Sequence, residues 1–172
     1  DFGGGDLRDI LAGIDAVEKI APVDDARLGV YGHSYGGFMT MWTVTHSTRF
    51  KAAVAGAGIA NWISYYGQNG IDQWMVPFFG GTAYDNPAVY DRLSPIRSIK
   101  AARTPTFIYV GERDVECPPA QSLEFWHGLK AMNVPTSLVI YEGEGHGIRK
   151  PANNLDLNGR VVGWFDKYLA RP

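Results

Sequence analysis

Gly-His-Ser-Tyr-Gly-Gly, residues 32–37, lies between an apolar run at 28–31 and a helix-compatible run at 38–44. The glycines fall where a strand has to turn abruptly into a helix, which is the setting of a nucleophile elbow. Ser34 is expected to sit there in a strained backbone conformation with its hydroxyl pushed out of the sheet. Gly32 and Gly36 are expected to be glycines because side chains would collide across so tight a crossing. The turn also sets Ser34 at a helix N-terminus, where the backbone N–H of Tyr35 can donate to a developing oxyanion. A bare Gly-x-Ser-x-Gly also arises as a glycine-rich turn with a solvated serine. The reading therefore depends on whether an acid and a histidine follow, each past the end of a further strand.

Outward from this point the chain alternates between strand and helix. Upstream, residues 1–5 read as a flexible glycine-rich turn, since no lysine-plus-hydroxyl pair follows to make a phosphate cradle. From Asp6, a candidate N-cap, Leu7, Ile10, Leu11, Ile14 and Val17 recur at helical spacing up to the stop at Ala21-Pro22, which predicts an amphipathic helix packed on a sheet. Residues 27–31 read as the first strand. The helix after the elbow is expected to end near His46, a cation beside a helix C-terminus. Residues 50–57 are almost continuously apolar, as in a strand buried on both faces of a parallel sheet. Residues 106–110 and 136–141 read as the third and fourth strands. Pro118 and Pro119 start the helix between these two strands, and a last helix buries Val161, Trp164, Phe165, Tyr168 and Leu169.

Residues 61–99 break the rhythm with Trp62, Tyr65, Tyr66, Trp74, Phe78, Phe79, Tyr84 and Tyr90 among glycines and prolines. Such an insertion is read as a cap that shapes a pocket, most of its rings forming a satellite core and one or two facing the cavity. The 172 residues fit one α/β domain, with 45% hydrophobic residues and a formal charge of −2, which gives no bias toward nucleic acid or an anionic membrane. No run is long enough to span a bilayer, and no signal peptide is visible, so localisation stays unknown. The single cysteine, Cys117, excludes an intramolecular disulfide, and the four histidines have no metal-ligand spacing. No cofactor or metal is expected.

Parallel sheets carry their sites at the carboxyl ends of the strands, and Ser34, Asp114 and His146 each lie just past one. Their chain order is that of the α/β-hydrolase triad, with His146 as general base and Asp114 holding its tautomer. Glu112 and Glu116 stay open as alternative acids. His33 adjoins the nucleophile and is read as structural, pointing the other way along the turn; His127, within a helix, is read as a surface or half-buried residue.

With these motifs in hand the chain resembles the C-terminal catalytic domain of the prolyl oligopeptidase family of serine peptidases, closest to the acylaminoacyl-peptidase and dipeptidyl-peptidase branches. The likeness rests on the elbow with Phe38-Met39-Thr40, Asn86-Pro87, Ser94-Pro95-Ile96, Gly111-Glu112-Arg113-Asp114, Cys117-Pro118, Gln121-Ser122, Glu144-Gly145-His146-Gly147 and 164–169. It implies a truncated α/β-hydrolase fold: a mainly parallel four-stranded sheet flanked by helices. It also implies cleavage of short peptides through an acyl-enzyme on Ser34, with Trp74, and less directly Tyr65 and Tyr66, near the pocket for the side chain before the scissile bond. By the same resemblance, further strands, a gating propeller, a second oxyanion donor and an acidic pair for a substrate amino terminus belong upstream of Asp1. One missing donor weakens transition-state binding by about 2.7 to 4 kcal/mol. Small activated esters would then be the easier substrates of this chain, and the edge of its first strand would be covered by self-association. Two other readings stand beside this one: a non-catalytic fragment that needs an upstream part, and a carboxylesterase that never acted on peptides.

Overall fold

The computed structural model describes residues 1–170. Four strands, β1 (Gly29–His33), β2 (Ala52–Gly56), β3 (Thr106–Gly111) and β4 (Thr136–Tyr141), form one parallel sheet in the order β1-β2-β3-β4. Helices α1 (Gly4–Glu18), α2 (Tyr35–His46), α3 (Trp62–Gln68), α4 (Met75–Phe79), α5 (Pro87–Arg92), α6 (Pro119–Ala131) and α7 (Pro151–Leu169) surround it. This is the α/β-hydrolase-like arrangement expected from the sequence. No helix among the described residues is long and apolar enough to cross a membrane.

Alternation along the strands sends side chains into two layers. On one face Ala53, Ala55 and Ile108 meet Met41 and Val44 of α2 and Phe125 and Leu129 of α6. On the other, Val54, Phe107 and Tyr109 meet Leu157 of α7, with Trp164 and Phe165 alongside. Every residue of β2 is buried, so the strand is apolar without a break. Between β2 and β3 the short helices α3, α4 and α5 build a third cluster around Trp62, which is fully buried against Phe38, Tyr65 and Phe79. The buried Gln121 supports the point where the chain leaves the sheet: its Oε1 accepts the N–H groups of Ala60 and Asn61, and its Nε2 donates to Ser64 and Gln68.

Four expectations need correction. Residues 1–5 are no flexible turn: Gly3 caps α1 at φ 87° with its Cα against the Trp42 ring, and α1 already starts at Gly4. Asp6 is the third residue of that helix instead of its cap, and its carboxylate accepts the Gly3 N–H at 3.1 Å. α1 packs on α2 through Leu7 and Trp42, leaving Val17 46% exposed at its far end. The first strand begins two residues later than predicted, because residues 25–27 form a 3-10 turn capped by Asp24, and it continues through Gly32 and His33, which pair with Ala55 and Gly56. The second and third strands differ from expectation only at their ends.

The fourth correction concerns the glycines of the elbow. A Cβ on Gly32 would lie 2.1 Å from the Gly36 carbonyl oxygen, and one on Gly37 would lie 2.2 Å from that of Gly56. Gly36 has open space where its side chain would be. The crowded pair is thus Gly32 and Gly37, because α2 presses its first turn onto the end of β2. Gly37→Ala is expected to lower the free energy of unfolding by about 1 to 3 kcal/mol through overpacking. Gly36→Ala, in a helix with room for a methyl group, should be neutral or gain up to about 1 kcal/mol. Urea titration of the two variants against the parent measures both.

Candidate active site

β1 runs straight into α2, and Ser34 is the one residue between them. It holds φ 61° and ψ −123°, an unusual conformation for a residue with a side chain. A hydrogen bond from its N–H to Gly56 O (3.0 Å) and one from Phe38 N–H to its carbonyl (3.0 Å) hold it there. Strain of this kind persists only where the surroundings enforce it, and here it points the hydroxyl away from the sheet. Tyr35 follows as the first residue of α2, so its N–H has no carbonyl in a preceding helical turn to bond.

The loops after β3 and β4 deliver the other two groups. Ser34 Oγ lies 2.9 Å from His146 Nε2, and His146 Nδ1 lies 2.9 Å from Asp114 Oδ2. The Asp114 side chain is fully buried, while His146 is 22% exposed. A carboxylate can only accept, which puts the imidazole proton on Nδ1 and leaves Nε2 to accept from the serine hydroxyl. The second oxygen, Asp114 Oδ1, accepts the N–H groups of Glu116 (2.9 Å) and Cys117 (2.8 Å). The structure thus brings Ser34, Asp114 and His146 into one chain of hydrogen bonds.

The alternative acids sit elsewhere. Glu112 accepts the Gly143 N–H at 2.8 Å and stays outside the chain. Glu116 comes no closer than 3.9 Å to His146 and does so at Nε2, the nitrogen that faces Ser34. His33 does not point away, as expected from the sequence. Its ring packs 4.8 Å from that of His146, and its Nδ1 is 3.1 Å from the Tyr109 hydroxyl, which in turn meets Tyr31 at 3.0 Å. Burial, followed by the nearby His146, lowers the pKa of His33 below the ordinary histidine value. His127 is exposed beside Trp126.

A cavity of about 290 Å³ opens beside Ser34, lined by Tyr35, Ile59, Tyr65, Ile71, Trp74, Glu116 and Cys117. Burial pushes the Cys117 thiol up to about 12, so this wall is neutral. Of the aromatics singled out in the sequence, Tyr65 and Trp74 line the cavity. Tyr66 does not: it stands edge-on to Tyr84 and Tyr90 and lines a separate depression with Asp72 and Pro77. Neighbouring residues of a helix point about 100° apart, and Tyr65 takes the inward direction.

Two residues that the sequence offered only as parts of the family likeness, with no role of their own, support the site. Gly111, at the end of β3, would place a Cβ 2.1 Å from Gly145 O, so only glycine lets the loop carrying His146 come down onto Asp114. Glu144, 4% exposed, accepts from the N–H groups of Arg149 (3.0 Å) and Lys150 (2.9 Å) and from Asn153 Nδ2 (2.8 Å).

Comparison with known proteins identifies the family. The model of the prolyl oligopeptidase family matches residues 1–171, and the chain belongs to that family. It is 36% identical to an uncharacterized peptidase, YuxL, of Bacillus subtilis, covering 98% of this chain and 26% of that protein. It is 30% identical to dipeptidyl-peptidase 5 of Porphyromonas gingivalis, covering 99% of this chain and 26% of that one. The solved acylaminoacyl peptidase of Pyrococcus horikoshii superposes with a TM-score of 0.91 at 33% identity, over 99% of this chain and 29% of its own. The chain therefore spans about a quarter of the length of the curated relatives it matches.

The hydrogen bond from Arg149 N–H, then those from Asn153 and Lys150 N–H, hold the Glu144 carboxyl below the usual glutamate range. A depressed carboxylate contributes stability that is complete above its unfolded value, near 4.5, and is lost as pH falls through the lower folded value. Glu144→Gln is expected to unfold at lower urea concentration than the parent at neutral pH. The gap between them should close as pH falls below about 4, in urea titrations followed by tryptophan fluorescence.

Proposed function

We propose that this chain is the catalytic part of a serine peptidase that cleaves short peptides through an acyl-enzyme on Ser34. The observation that carries the reading is the continuous Ser34–His146–Asp114 hydrogen-bond chain, 2.9 Å at each link, at the mouth of a cavity. Ser34 Oγ attacks the scissile carbonyl carbon as its proton passes to His146 Nε2. The carbonyl oxygen becomes an oxyanion that meets the N–H of Tyr35 at the N-terminus of α2. His146 then protonates the leaving amine, the C–N bond breaks, and the acyl group remains as an ester on Oγ. Water repeats the steps, with His146 again taking a proton, to release the acid and restore Ser34. Asp114 stays a buried carboxylate that fixes the imidazole and stabilises its charged form.

The cavity lies at the small end of ligand pockets, and its walls of Ile59, Ile71, Tyr65 and Trp74 suit one apolar or proline side chain next to the scissile bond. Residues 61–99 act in this reading as the cap that supplies Tyr65, Ile71 and Trp74. Small activated esters are accepted as well, since their better leaving group asks less of the oxyanion site.

A fluorophosphonate probe, which bonds to activated serines without presuming a substrate, is expected to label the parent and to leave Ser34→Ala and His146→Ala unlabelled. Asp114→Asn should lower the turnover of a p-nitrophenyl ester by roughly 10⁴-fold with the fold intact. Equal ester hydrolysis by parent and Ser34→Ala would remove the proposal. β1 ends the described sheet with Tyr31 52% exposed, and we propose that two copies of this chain cover that edge by association. Light scattering at micromolar concentration is expected to give a mass above that of one chain, and a stable monomer would count against it.

A further inference from the structure

The cavity beside Ser34 holds one carboxylate that the proposed chemistry leaves unused. Glu116 lines it with its side chain 47% exposed, facing the neutral walls made by Tyr35, Tyr65, Trp74 and Cys117. Its place is set from behind: the Glu116 N–H and that of buried Cys117 both bond Asp114 Oδ1, so the residue is anchored by the same carboxylate that orients His146. Among the described residues no lysine or arginine comes within ion-pair distance of Glu116, and His146 at 3.9 Å is its one ionic neighbour. While that imidazole is neutral, as a general base must be, the carboxylate has no countercharge in the cavity.

The distances define what could supply one. Oε2 of Glu116 is 3.9 Å from His146 Nε2, which is 2.9 Å from Ser34 Oγ; together these keep the carboxylate within about 7 Å of the nucleophile. A substrate carbonyl carbon rests about 3 Å from an attacking oxygen. An amine two bonds from that carbon lies only about 2.5 Å further away, and one on the neighbouring residue a few ångströms more. A positive amine in this space would meet a carboxylate on one side and the ring faces of Tyr35, Tyr65 and Trp74 on the other, both of which attract it. An acidic group there would be repelled.

We propose that Glu116 is the specificity-determining residue that receives a cationic amine of the substrate beside the scissile carbonyl. The amine is either a free α-ammonium or the end of a basic side chain. The assignment rests on Ser34 being the nucleophile, and the test separates the two ideas by reading binding apart from reactivity. Phenylalaninamide and N-acetyl-phenylalaninamide differ by one ammonium group, and N-acetyl-lysinamide carries its charge on the side chain alone. Their affinities are to be measured by calorimetry near pH 7, where an α-amino group is mainly charged, on the parent and on Glu116→Gln.

The parent is expected to bind at least one of the two cationic compounds about 10-fold to 100-fold more tightly than the neutral one, as a charge-assisted hydrogen bond supplies. In Glu116→Gln that preference should shrink to under about two-fold, with the affinity of the neutral compound unchanged. Which cationic compound gains identifies the source of the amine. Absence of a preference in the parent, its survival in Glu116→Gln, or equal weakening of all three compounds would overturn the proposal. Fluorophosphonate labelling of the same samples reports on Ser34 separately: labelling without an ammonium preference removes the role of Glu116 alone, and a preference without labelling keeps the cation site while removing the hydrolase reading.

Discussion

Backbone touching backbone at the elbow is the contact on which this molecule depends. β1 and β2 pair in parallel up to His33 and Gly56, and α2 then doubles back so closely that Gly32 meets Gly36 and Gly37 meets Gly56 with no room for a side chain. Ser34 bridges the two elements at φ 61°, held by bonds to Gly56 and Phe38. The tight crossing stores strain in one residue, and burial of Phe38, Met41 and Val44 along α2 more than offsets it. The same packing that secures the helix therefore aims the serine.

A similar solution recurs at the neighbouring strand. Gly111 admits the carbonyl of Gly145, so the loop after β4 settles on the loop after β3 and His146 arrives beside Asp114. Both loops are pinned by carboxylates that are almost wholly buried. Asp114 takes two backbone N–H groups besides the imidazole, and Glu144 takes two more and an amide. Buried carboxylates are costly unless their acceptor sites are filled, and here filling them is what fixes the loop geometry. The site is preorganised because its supports would be unfavourable in any other arrangement.

Much of this was legible along the chain for local reasons. An almost unbroken apolar run marked β2, glycines marked the elbow, and the order Ser34, Asp114, His146 marked strand ends that a parallel sheet must gather on one side. The misreadings also have local causes. Gly3 looked like a flexible turn, since no neighbour in sequence reveals that its missing side chain makes room for Trp42, thirty-nine positions on. Gly32 and His33 looked like the turn itself, although pairing with Ala55 and Gly56 keeps them in the strand. His33 looked detached from the site because the pleat that turns it toward His146 becomes visible only once β1 and the loop after β4 are side by side.

The sequence by itself determined the fold class, because hydrophobic period, glycine placement and chain order are one-dimensional properties, and it carried the family likeness in the motifs around Ser34, Asp114 and His146. Tertiary structure decided which glycines are indispensable, that Asp114 and not Glu112 or Glu116 meets His146 Nδ1, that Tyr65 and Trp74 but not Tyr66 face the cavity, and that Glu116 stands there without a basic partner among the described residues. Each of these depends on distances between residues far apart in the chain. Such distances are set by how layers close on one another, and no local pattern encodes them.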